Sequence, residues 1–298
     1  MDLISIKNLT KRYGRRVGVD RLDLNVPQGI VFGFLGPNGS GKTTTIRVLM
    51  GLLRPSGGSA RIGGLDTWRR SHVVKRDVGY LPGDLRLYPW LTARMAFRIV
   101  GRIRERDLTQ AALKLADEFA LELDVRVRNM SRGTRQKLGL VLALAHDPKV
   151  LILDEPTASL DPLVQDRLKD RLCELARGGV TVFFSSHSLS EVQHVCDRVA
   201  ILREGRLVAD ESLEDLRARA MRIVNIRWQH GREVQSATAP AFLDVQRAHD
   251  DRWTCTLTGS VGDLIRWLAE KPVEDLTIGQ PDLDSLFRQY YETGTSER

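Results

Sequence analysis

The sequence has few cysteines and no long hydrophobic run. Its three cysteines, Cys173, Cys196 and Cys255, are far apart and form no Cys-x-x-Cys pair. This argues against a disulfide framework or a zinc site and favours a reducing compartment. The longest apolar run, residues 138–145, is shorter than the ~18 residues of a membrane helix, so we expect no membrane span. The first residues lack a basic start followed by an apolar stretch, so we expect no cleaved secretory signal.

Charge is distributed unevenly along the chain. The 298 residues include 45 Lys+Arg and 38 Asp+Glu, a formal net charge of +7, and 42% are hydrophobic, which is enough for a folded core. Residues 221–298 hold 9 basic and 12 acidic residues, so the basic excess lies in the first 220. A basic domain is typical of proteins that meet nucleotides, nucleic acid or an anionic membrane. An arginine-rich composition explains the charge equally well.

Apolar runs predict an α/β domain. Buried strands are expected at 30–35, 149–155, 180–184 and 199–202, and half-exposed strands at 3–6 and 22–26. Helices are expected at 42–52 and 189–196, and buried strands that alternate with helices indicate a largely parallel sheet. Residues 92–145 have helical patterning with little strand signal, which indicates a helical insertion.

The pattern changes after residue 219. Strands are expected at 222–228, 253–257 and 273–278, and helices at 260–269, capped by Ser260, and at 282–291. We therefore divide the chain into a domain at 1–215, with a helical subdomain at about 85–148, and a small α+β domain at 216–298.

A phosphate-binding loop follows the first buried strand. Residues 36–43 match G-x-x-x-x-G-K-[ST] in full, between a strand and a helix. Glycines let backbone N–H groups converge on phosphate oxygens, and the helix beginning at Lys42 adds its positive end. Lys42 is expected to reach the β- and γ-phosphates and Thr43 to bind Mg²⁺. The residues predicted to bind ATP here are Gly36, Pro37, Asn38, Gly39, Ser40, Gly41, Lys42, Thr43 and Thr44.

Two acids end a second buried strand. Carboxylates at the carboxyl edge of a parallel sheet lie beside such a loop. Asp154 is expected to hold Mg²⁺, and Glu155 to orient or deprotonate the attacking water. Solvated acids at a strand end are the plainer alternative. A phosphate loop alone leaves GTPases, kinases, helicases and transport ATPases open, although the N-K-x-D motif of GTPases is absent.

Further segments resemble those of the ATP-binding cassette (ABC) family. Residues 130–137, Met-Ser-Arg-Gly-Thr-Arg-Gln-Lys, resemble its signature segment, and residues 154–161, Asp-Glu-Pro-Thr-Ala-Ser-Leu-Asp, its second nucleotide motif and D-loop. Ser-Ser-His at 185–187 resembles its switch-histidine segment, and Tyr13 stands where the family stacks an aromatic ring on adenine. The resemblance covers residues 1 to about 210. It implies the fold of a P-loop NTPase ABC cassette, with a mixed sheet core and a helical subdomain, followed by the α+β appendage.

The resemblance also implies a mechanism. ABC ATPases work as head-to-tail pairs with two ATP molecules between them. Ser131 and Gly133 would then contact the γ-phosphate bound by the partner, Asp161 would reach across the dimer, and His187 would contact the γ-phosphate. Plainer alternatives are helix caps for Ser131 and Asp161, an incidental polar residue for His187 and a surface aromatic for Tyr13.

The sequence departs from the family at two places. Arg132 and Thr134 replace a glycine and a glutamine of the usual signature, L-S-G-G-Q. Gly83 stands where a glutamine normally contacts Mg²⁺ and water and couples to the membrane partner. The following Asp84 is a candidate replacement in the Mg²⁺ site, and otherwise this contact is absent.

The departures and the ending at 280–291 resemble the bacterial drug- and antibiotic-exporter branch, including daunorubicin-type exporters. This implies an ATPase that hydrolyses ATP with Mg²⁺ and drives export through a separately encoded integral membrane permease. It would act as a homodimer, peripheral at the cytoplasmic face of the cell membrane, without nucleic acid. The alternatives are an importer ATPase subunit and a soluble, non-transport ABC ATPase.

Overall fold

The computed structural model describes residues 2–229 and 239–281, together with Leu283 and Phe287. The chain forms two compact units, Met1–Leu213 and Glu214–Arg298. The boundary falls two residues before the one we placed from the sequence.

A four-stranded antiparallel sheet begins the first unit. Its strands are β1 (Asp2–Tyr13), β2 (Arg16–Pro27), β4 (Gly57–Ile62) and β5 (Leu65–Asp66), in the order β2-β1-β4-β5. β1 and β2 run well beyond the predicted segments 3–6 and 22–26. Their pairing contains four register shifts, and such bulges interrupt the period-two alternation by which a strand is recognised.

A six-stranded sheet forms the centre of the first unit. Its strands are β3 (Val31–Leu35), β6 (Val78–Leu81), β7 (Val150–Asp154), β8 (Thr181–Ser186), β9 (Arg198–Arg203) and β10 (Arg206–Ser212). The order is β10-β9-β3-β8-β7-β6, and all pairs are parallel except β10 with β9. The predicted mixed sheet core is therefore confirmed. Because β3, β8 and β7 are neighbours, the residues that follow them meet at one edge.

Helices cover the strands and form the predicted helical region. The longer ones are α1 (Lys42–Leu49), α3 (Ala93–Ile103), α4 (Thr109–Glu118), α5 (Arg132–Leu144) and α6 (Pro162–Arg177), and the short ones are α2 (Ser71–Val74) and α7 (Leu189–Val192). α1 ends three residues before the predicted end, where Gly51 takes a left-handed conformation (φ +59°) typical of a helix terminus. α7 is half the predicted length.

The second unit is an antiparallel sheet with helices. Its strands are β11 (Arg222–Trp228), β12 (Leu243–His249), β13 (Arg252–Leu257) and β14 (Val273–Pro281), in the order β12-β13-β11-β14. Helix α8 (Leu213–Arg219) begins at the last residue of the first unit, and α9 (Val261–Leu268) lies within the second. Ser260 caps α9 as predicted, by accepting a hydrogen bond from the Asp263 N–H. Trp228 and Trp253 meet edge to face in the core, with ring centroids 4.9 Å apart. The predicted helix at 282–291 lies outside the described residues, apart from Leu283 and Phe287.

His146 makes the stability of the fold dependent on pH. It is buried after α5, with Nε2 3.2 Å from the Val78 carbonyl oxygen. Burial, with Arg104 and Arg106 nearby, lowers the pKa of His146 from 6.5 to about 4. The unfolded chain takes up this proton below pH 6.5 and the folded chain only below about 4, so stability falls as the pH drops through this window.

We therefore expect His146→Gln to make the free energy of unfolding less dependent on pH below pH 7. Between pH 7 and pH 4.5 the native chain should lose roughly 2–3 kcal/mol that the variant keeps, because one pKa unit corresponds to about 1.4 kcal/mol. Urea unfolding at the two pH values measures this, with His72→Gln, an exposed histidine, as the control. Equal losses in the native chain and His146→Gln would contradict the expectation.

Candidate functional site

The phosphate loop connects β3 to α1. Gly39 and Gly41 have φ angles of +82° and +109°, which side-chain-bearing residues rarely adopt. A Cβ on Gly41 would also lie 2.5 Å from the Gly18 carbonyl oxygen. Within the described residues the hydroxyl of Ser40 is buried without a hydrogen-bond partner. The loop thus exposes its backbone and holds a polar hydroxyl suited to a phosphate oxygen.

Lys42 lies almost fully buried at the start of α1. Its Nζ donates to the carbonyl oxygens of Gly36 (2.6 Å) and Pro37 (3.2 Å) and lies 3.7 Å from Glu155 Oε1. Burial lowers the pKa of Lys42, while the carboxylates of Glu155 and Asp154 oppose this shift. The lysine charge therefore lies between the carbonyl groups of the loop and the Glu155 carboxylate.

The two acids have different surroundings. Asp154 is buried, and its Oδ1 accepts a 2.7 Å hydrogen bond from Ser185, while its Oδ2 has no partner among the described residues. Glu155 has a left-handed backbone (φ +51°), supported by hydrogen bonds from its N–H to the Ser185 carbonyl and hydroxyl oxygens. Such strain persists only where neighbouring contacts enforce it, and it is frequent at functional sites.

His187 completes this cluster. It follows β8, and its Nδ1 lies 3.6 Å from Glu155 Oε1, the same oxygen that faces Lys42. The side chains of His187 and Glu155 are 53% and 31% exposed, so both can meet a solvent-borne molecule. The structure thus brings together Lys42, Glu155 and His187, with Asp154 beside them.

A cavity of about 390 Å³ opens over this cluster. Its lining includes Tyr13, Arg16, Val17, Gly18, Asn38, Gly39, Gly41, Lys42, Thr43, Thr44 and Glu155. The Tyr13 ring is half exposed, its hydroxyl lies 3.5 Å from Thr44 Oγ1, and Lys11 Nζ lies over the ring, 5.3 Å from its centroid. A second cavity, of about 530 Å³, lies among Lys75, Arg76, Arg104 and Arg106 and shares no lining residue with the phosphate loop. Of these two cavities, the smaller one is lined by the residues predicted to bind phosphate.

Ser131, Gly133 and Asp161 lie outside the lining of this cavity. Ser131 caps α5 by accepting from the Thr134 N–H (3.0 Å), and Asp161 caps α6 by accepting from the Val164 N–H (3.0 Å). This hydrogen bond, with Lys137 nearby, lowers the pKa of Asp161. Both capping alternatives from the sequence are therefore present in the structure.

The signature segment packs directly on the D-loop of its own chain. A Cβ on Gly133 would lie 2.5 Å from the Ser159 carbonyl oxygen, and Ser159 itself is left-handed (φ +68°). Ser131 and Asp161 are exposed on either side of this contact, and Gly133 is half-buried. A larger residue at position 133 would push the two segments apart.

Gly83 and Asp84 are placed differently. A Cβ on Gly83 would lie 3.3 Å from Asp154 Oδ2, so position 83 faces the unpartnered oxygen of that carboxylate. Asp84 is exposed, and its carboxylate accepts a 2.9 Å hydrogen bond from Arg86. Asp84, the candidate replacement for the missing glutamine, is therefore paired with Arg86.

Two glutamines that we did not predict hold the segment after Glu155. Gln136 donates to the carbonyl oxygens of Glu155 (3.2 Å) and Pro156 (3.1 Å), and Gln165 to those of Thr157 (3.2 Å) and Leu160 (3.1 Å). Gln136 is buried on α5 among apolar residues. A polar side chain in an apolar stretch of a helix needs a hydrogen-bond partner, and this feature of the sequence could have indicated its role. These bonds satisfy carbonyl groups of a segment that has no regular partner.

Comparisons with known proteins identify the family of the chain. The family model described as ABC transporter matches residues 19–158. The daunorubicin resistance ATP-binding protein of Streptomyces coeruleorubidus is 33% identical over 95% of this chain and 94% of that protein. The chain belongs to the ABC transporter family of ATP-binding proteins. The bacitracin transport ATP-binding protein of Bacillus licheniformis is 37% identical over 73% of this chain and 72% of that protein.

Solved structures support the fold of this ABC ATPase. An ATP-binding subunit of an ABC transporter matches with a TM-score of 0.67 and 30% identity, over 72% of this chain and 92% of that one. A dimeric bacterial ABC transporter cassette matches with a TM-score of 0.64 and 25% identity, over 70% of this chain and 98% of that one. The predicted P-loop NTPase ABC fold, ATP as ligand and ATPase activity are thus confirmed. Within the described residues, no helix is both long and apolar enough to cross a membrane.

Proposed function

We propose that this ABC ATPase is the nucleotide-binding subunit of an efflux transporter and drives a separately encoded integral membrane permease. The observation that carries the proposal is the match to the daunorubicin resistance protein, which extends through both units of the chain. Relatives named for bacitracin transport and Nod factor export support the same direction. The protein would lie at the cytoplasmic face of the membrane, attached through its permease.

The site supports Mg²⁺-dependent hydrolysis. The buried, unpartnered Oδ2 of Asp154 and the exposed hydroxyl-bearing Thr43 are oxygen donors of the kind that Mg²⁺ takes, so these two residues would hold the ion. When bound, Mg²⁺ neutralises phosphate charge. Lys42 would bind the β- and γ-phosphates, Glu155 would orient or deprotonate the water, and His187 would contact the γ-phosphate.

Two copies of the chain would enclose ATP between them. Ser131 and Asp161 are exposed and Gly133 lies between them, so this surface can reach the nucleotide of a second copy. The N–H groups at the start of α5 and the Ser131 hydroxyl would face the γ-phosphate bound by the partner. The dimeric cassette among the structural relatives supports this arrangement.

A variant of Asp84 tests whether this residue replaces the glutamine that is absent at position 83. If Asp84 leaves Arg86 and joins the Mg²⁺ site when ATP is bound, Asp84→Ala should lower permease-coupled ATPase activity about tenfold, the effect of losing one charged contact worth ~1.4 kcal/mol. ATPase assays with the permease in vesicles measure this, and Asp124→Ala, an exposed carboxylate paired with Arg94, is the control. Unchanged activity would leave Asp84 outside the metal site.

An exposed apolar surface supports the permease proposal. Tyr88 and Trp90 are 68% and 56% exposed and stack with ring centroids 5.8 Å apart. On the following helix α3, Met95, Ile99 and Ile103 are also exposed, at a spacing that places them on one face. Exposed apolar patches of this kind mark interaction sites.

Copurification with the neighbouring-gene membrane protein, followed by transport assays, tests the proposed function. We expect Tyr88→Ser/Trp90→Ser to recover at least tenfold less permease than the native chain with unchanged basal ATPase activity, whereas Trp68→Ser, exposed elsewhere, should not. ATP should drive accumulation of candidate antibiotics in inverted vesicles that contain both proteins. ATP-dependent accumulation only in right-side-out vesicles would contradict export.

A further inference from the structure

Glu191 forms a bridge between two segments of the site. It lies in the short helix α7, four residues after His187. Its Oε1 accepts a 2.7 Å hydrogen bond from the hydroxyl of Thr157, and its Oε2 accepts one from the hydroxyl of Ser186. Thr157 follows Glu155 by two residues, and Ser186 directly precedes His187. One carboxylate thus joins the segment that carries Glu155 to the segment that carries His187.

The two hydroxyl groups of the bridge are buried. Thr157 and Ser186 are 3% and 0% exposed, so neither hydroxyl has ready access to water as an alternative partner. Ser186 Oγ also accepts a 2.9 Å hydrogen bond from the Ser188 N–H, which secures the turn that follows His187. The Ser186 hydroxyl also lies 3.1 Å from the Ser188 carbonyl oxygen, whereas the hydrogen bond described for the Thr157 hydroxyl goes to Glu191. A buried hydroxyl that loses its partner is costly, so the Thr157 contact in particular favours a single spacing of the two segments.

The two bridged segments carry His187 and Glu155. His187 Nδ1 lies 3.6 Å from Glu155 Oε1, yet both side chains are partly exposed and no shorter contact joins them. Glu155 itself has a left-handed backbone, and its N–H donates to Ser185, two residues before His187, so the backbones of the two segments are joined while the side-chain spacing is not fixed by that contact. The Gln136 and Gln165 contacts reach the Glu155 segment alone. Of the described side-chain hydrogen bonds to Thr157 and Ser186, those of Glu191 link the two segments through one group.

We infer that Glu191 is a positioning residue for ATP hydrolysis, which sets the spacing of His187 and Glu155 by bridging Ser186 and Thr157. The inference rests on the proposed roles of Glu155 and His187. Glu191 lies outside the lining of the nucleotide cavity, so it acts through these two residues and leaves ATP binding unaffected.

The first test compares Glu191→Ala with Glu191→Gln. Glu191→Ala removes both acceptors and should lower kcat roughly 10- to 100-fold with the KM for ATP within twofold, since small misplacements of reacting groups have effects of this size. Glu191→Gln should recover at least half of the native kcat, because its amide oxygen accepts from Thr157 and its amide nitrogen can donate to Ser186 Oγ. Glu174→Ala, an exposed carboxylate on α6, is the control. An unchanged kcat in Glu191→Ala, a raised KM as the main effect, or a Gln variant as inactive as Ala would overturn the inference.

The second test asks whether Glu191 acts through His187. In a His187→Ala background, adding Glu191→Ala should lower kcat less than twofold further, because effects within one unit are not additive. Independent, multiplicative losses would overturn the inference, as would a His187→Ala variant with native turnover.

Glu155→Gln is measured in the same assay, and retained turnover there would contradict the proposed function itself. Melting temperatures of all variants within a few degrees of native would exclude unfolding, and Thr157→Val should reproduce part of the Glu191→Ala loss if Ala proves unstable.

Discussion

Lys42→Ala should abolish measurable ATPase activity, with kcat/KM reduced by at least ~10³-fold. A charged donor aimed at developing phosphate charge in a sheltered site contributes several kcal/mol, and single neutral donors in such sites already contribute 10²–10³-fold. Lys42 is buried between the phosphate loop and Glu155, and among the described residues no other lysine or arginine contacts both. Phosphate release by the purified chain measures the effect.

The control for this experiment is Lys114→Ala, an exposed lysine on α4. It should keep native turnover. Burial of the charged Lys42 side chain is unfavourable, as the lowered pKa of Lys42 shows. Lys42→Ala removes this buried charge, so the melting temperature of the variant should not fall. Retained turnover in Lys42→Ala would show that the phosphates bind elsewhere. A large loss of melting temperature would instead indicate that Lys42 holds the loop together through Gly36 and Pro37.

Local patterns predicted the core of this fold well. β3 and β7 are buried at every position, so each reads as a continuous apolar run, and the phosphate loop is specified by consecutive residues. The order β3-β8-β7 then places Asp154, Glu155 and His187 at one edge. Parallel strands always align their carboxyl ends, so this edge followed from the strand assignments.

The strands that we did not predict from the sequence lack a continuous or alternating apolar pattern. β12 lies at the edge of its sheet, and only Leu243 in it is fully buried, so no alternation marks it. β10, also an edge strand, is half-exposed along most of its length. Few side chains of these two strands are buried, so neither strand shows the alternation of apolar and polar residues by which a half-buried strand is recognised.

Contacts between segments that are distant in the sequence could not be predicted, for a different reason. The bonds of Gln136 to the Glu155 segment and of Glu191 to Thr157 join residues 19 and 34 positions apart. A glutamine or glutamate on a helix is usually solvated, and only the packing of that helix against the site gives it a partner. Asp84 shows the converse, since its position suggested a metal ligand whereas its nearest partner is Arg86.

Glu155→Gln should bind ATP, hydrolyse it ~10²–10⁴-fold more slowly and accumulate as a dimer. The amide keeps the size of the side chain but cannot accept the proton of the attacking water, and general bases contribute effects of this size. The backbone support of Glu155, through its N–H and Ser185, is untouched by the change. Loss of the carboxylate also removes one of the two acids that oppose the lowered pKa of Lys42.

Light scattering after gel filtration with ATP and Mg²⁺ distinguishes dimer from monomer, and ATP retained on the column confirms binding. Ser131→Ala and Lys42→Ala, each added to Glu155→Gln, are the matched controls. Lys42→Ala should prevent the dimer by removing ATP, whereas Ser131→Ala should weaken it without preventing ATP binding to the separate chains. A monomer that retains ATP in Glu155→Gln would contradict the enclosed-nucleotide dimer while leaving the ATPase site intact. Since Ser131 caps α5 in its own chain, its alanine variant must also keep the native melting temperature for the loss to be assigned to the partner's phosphate.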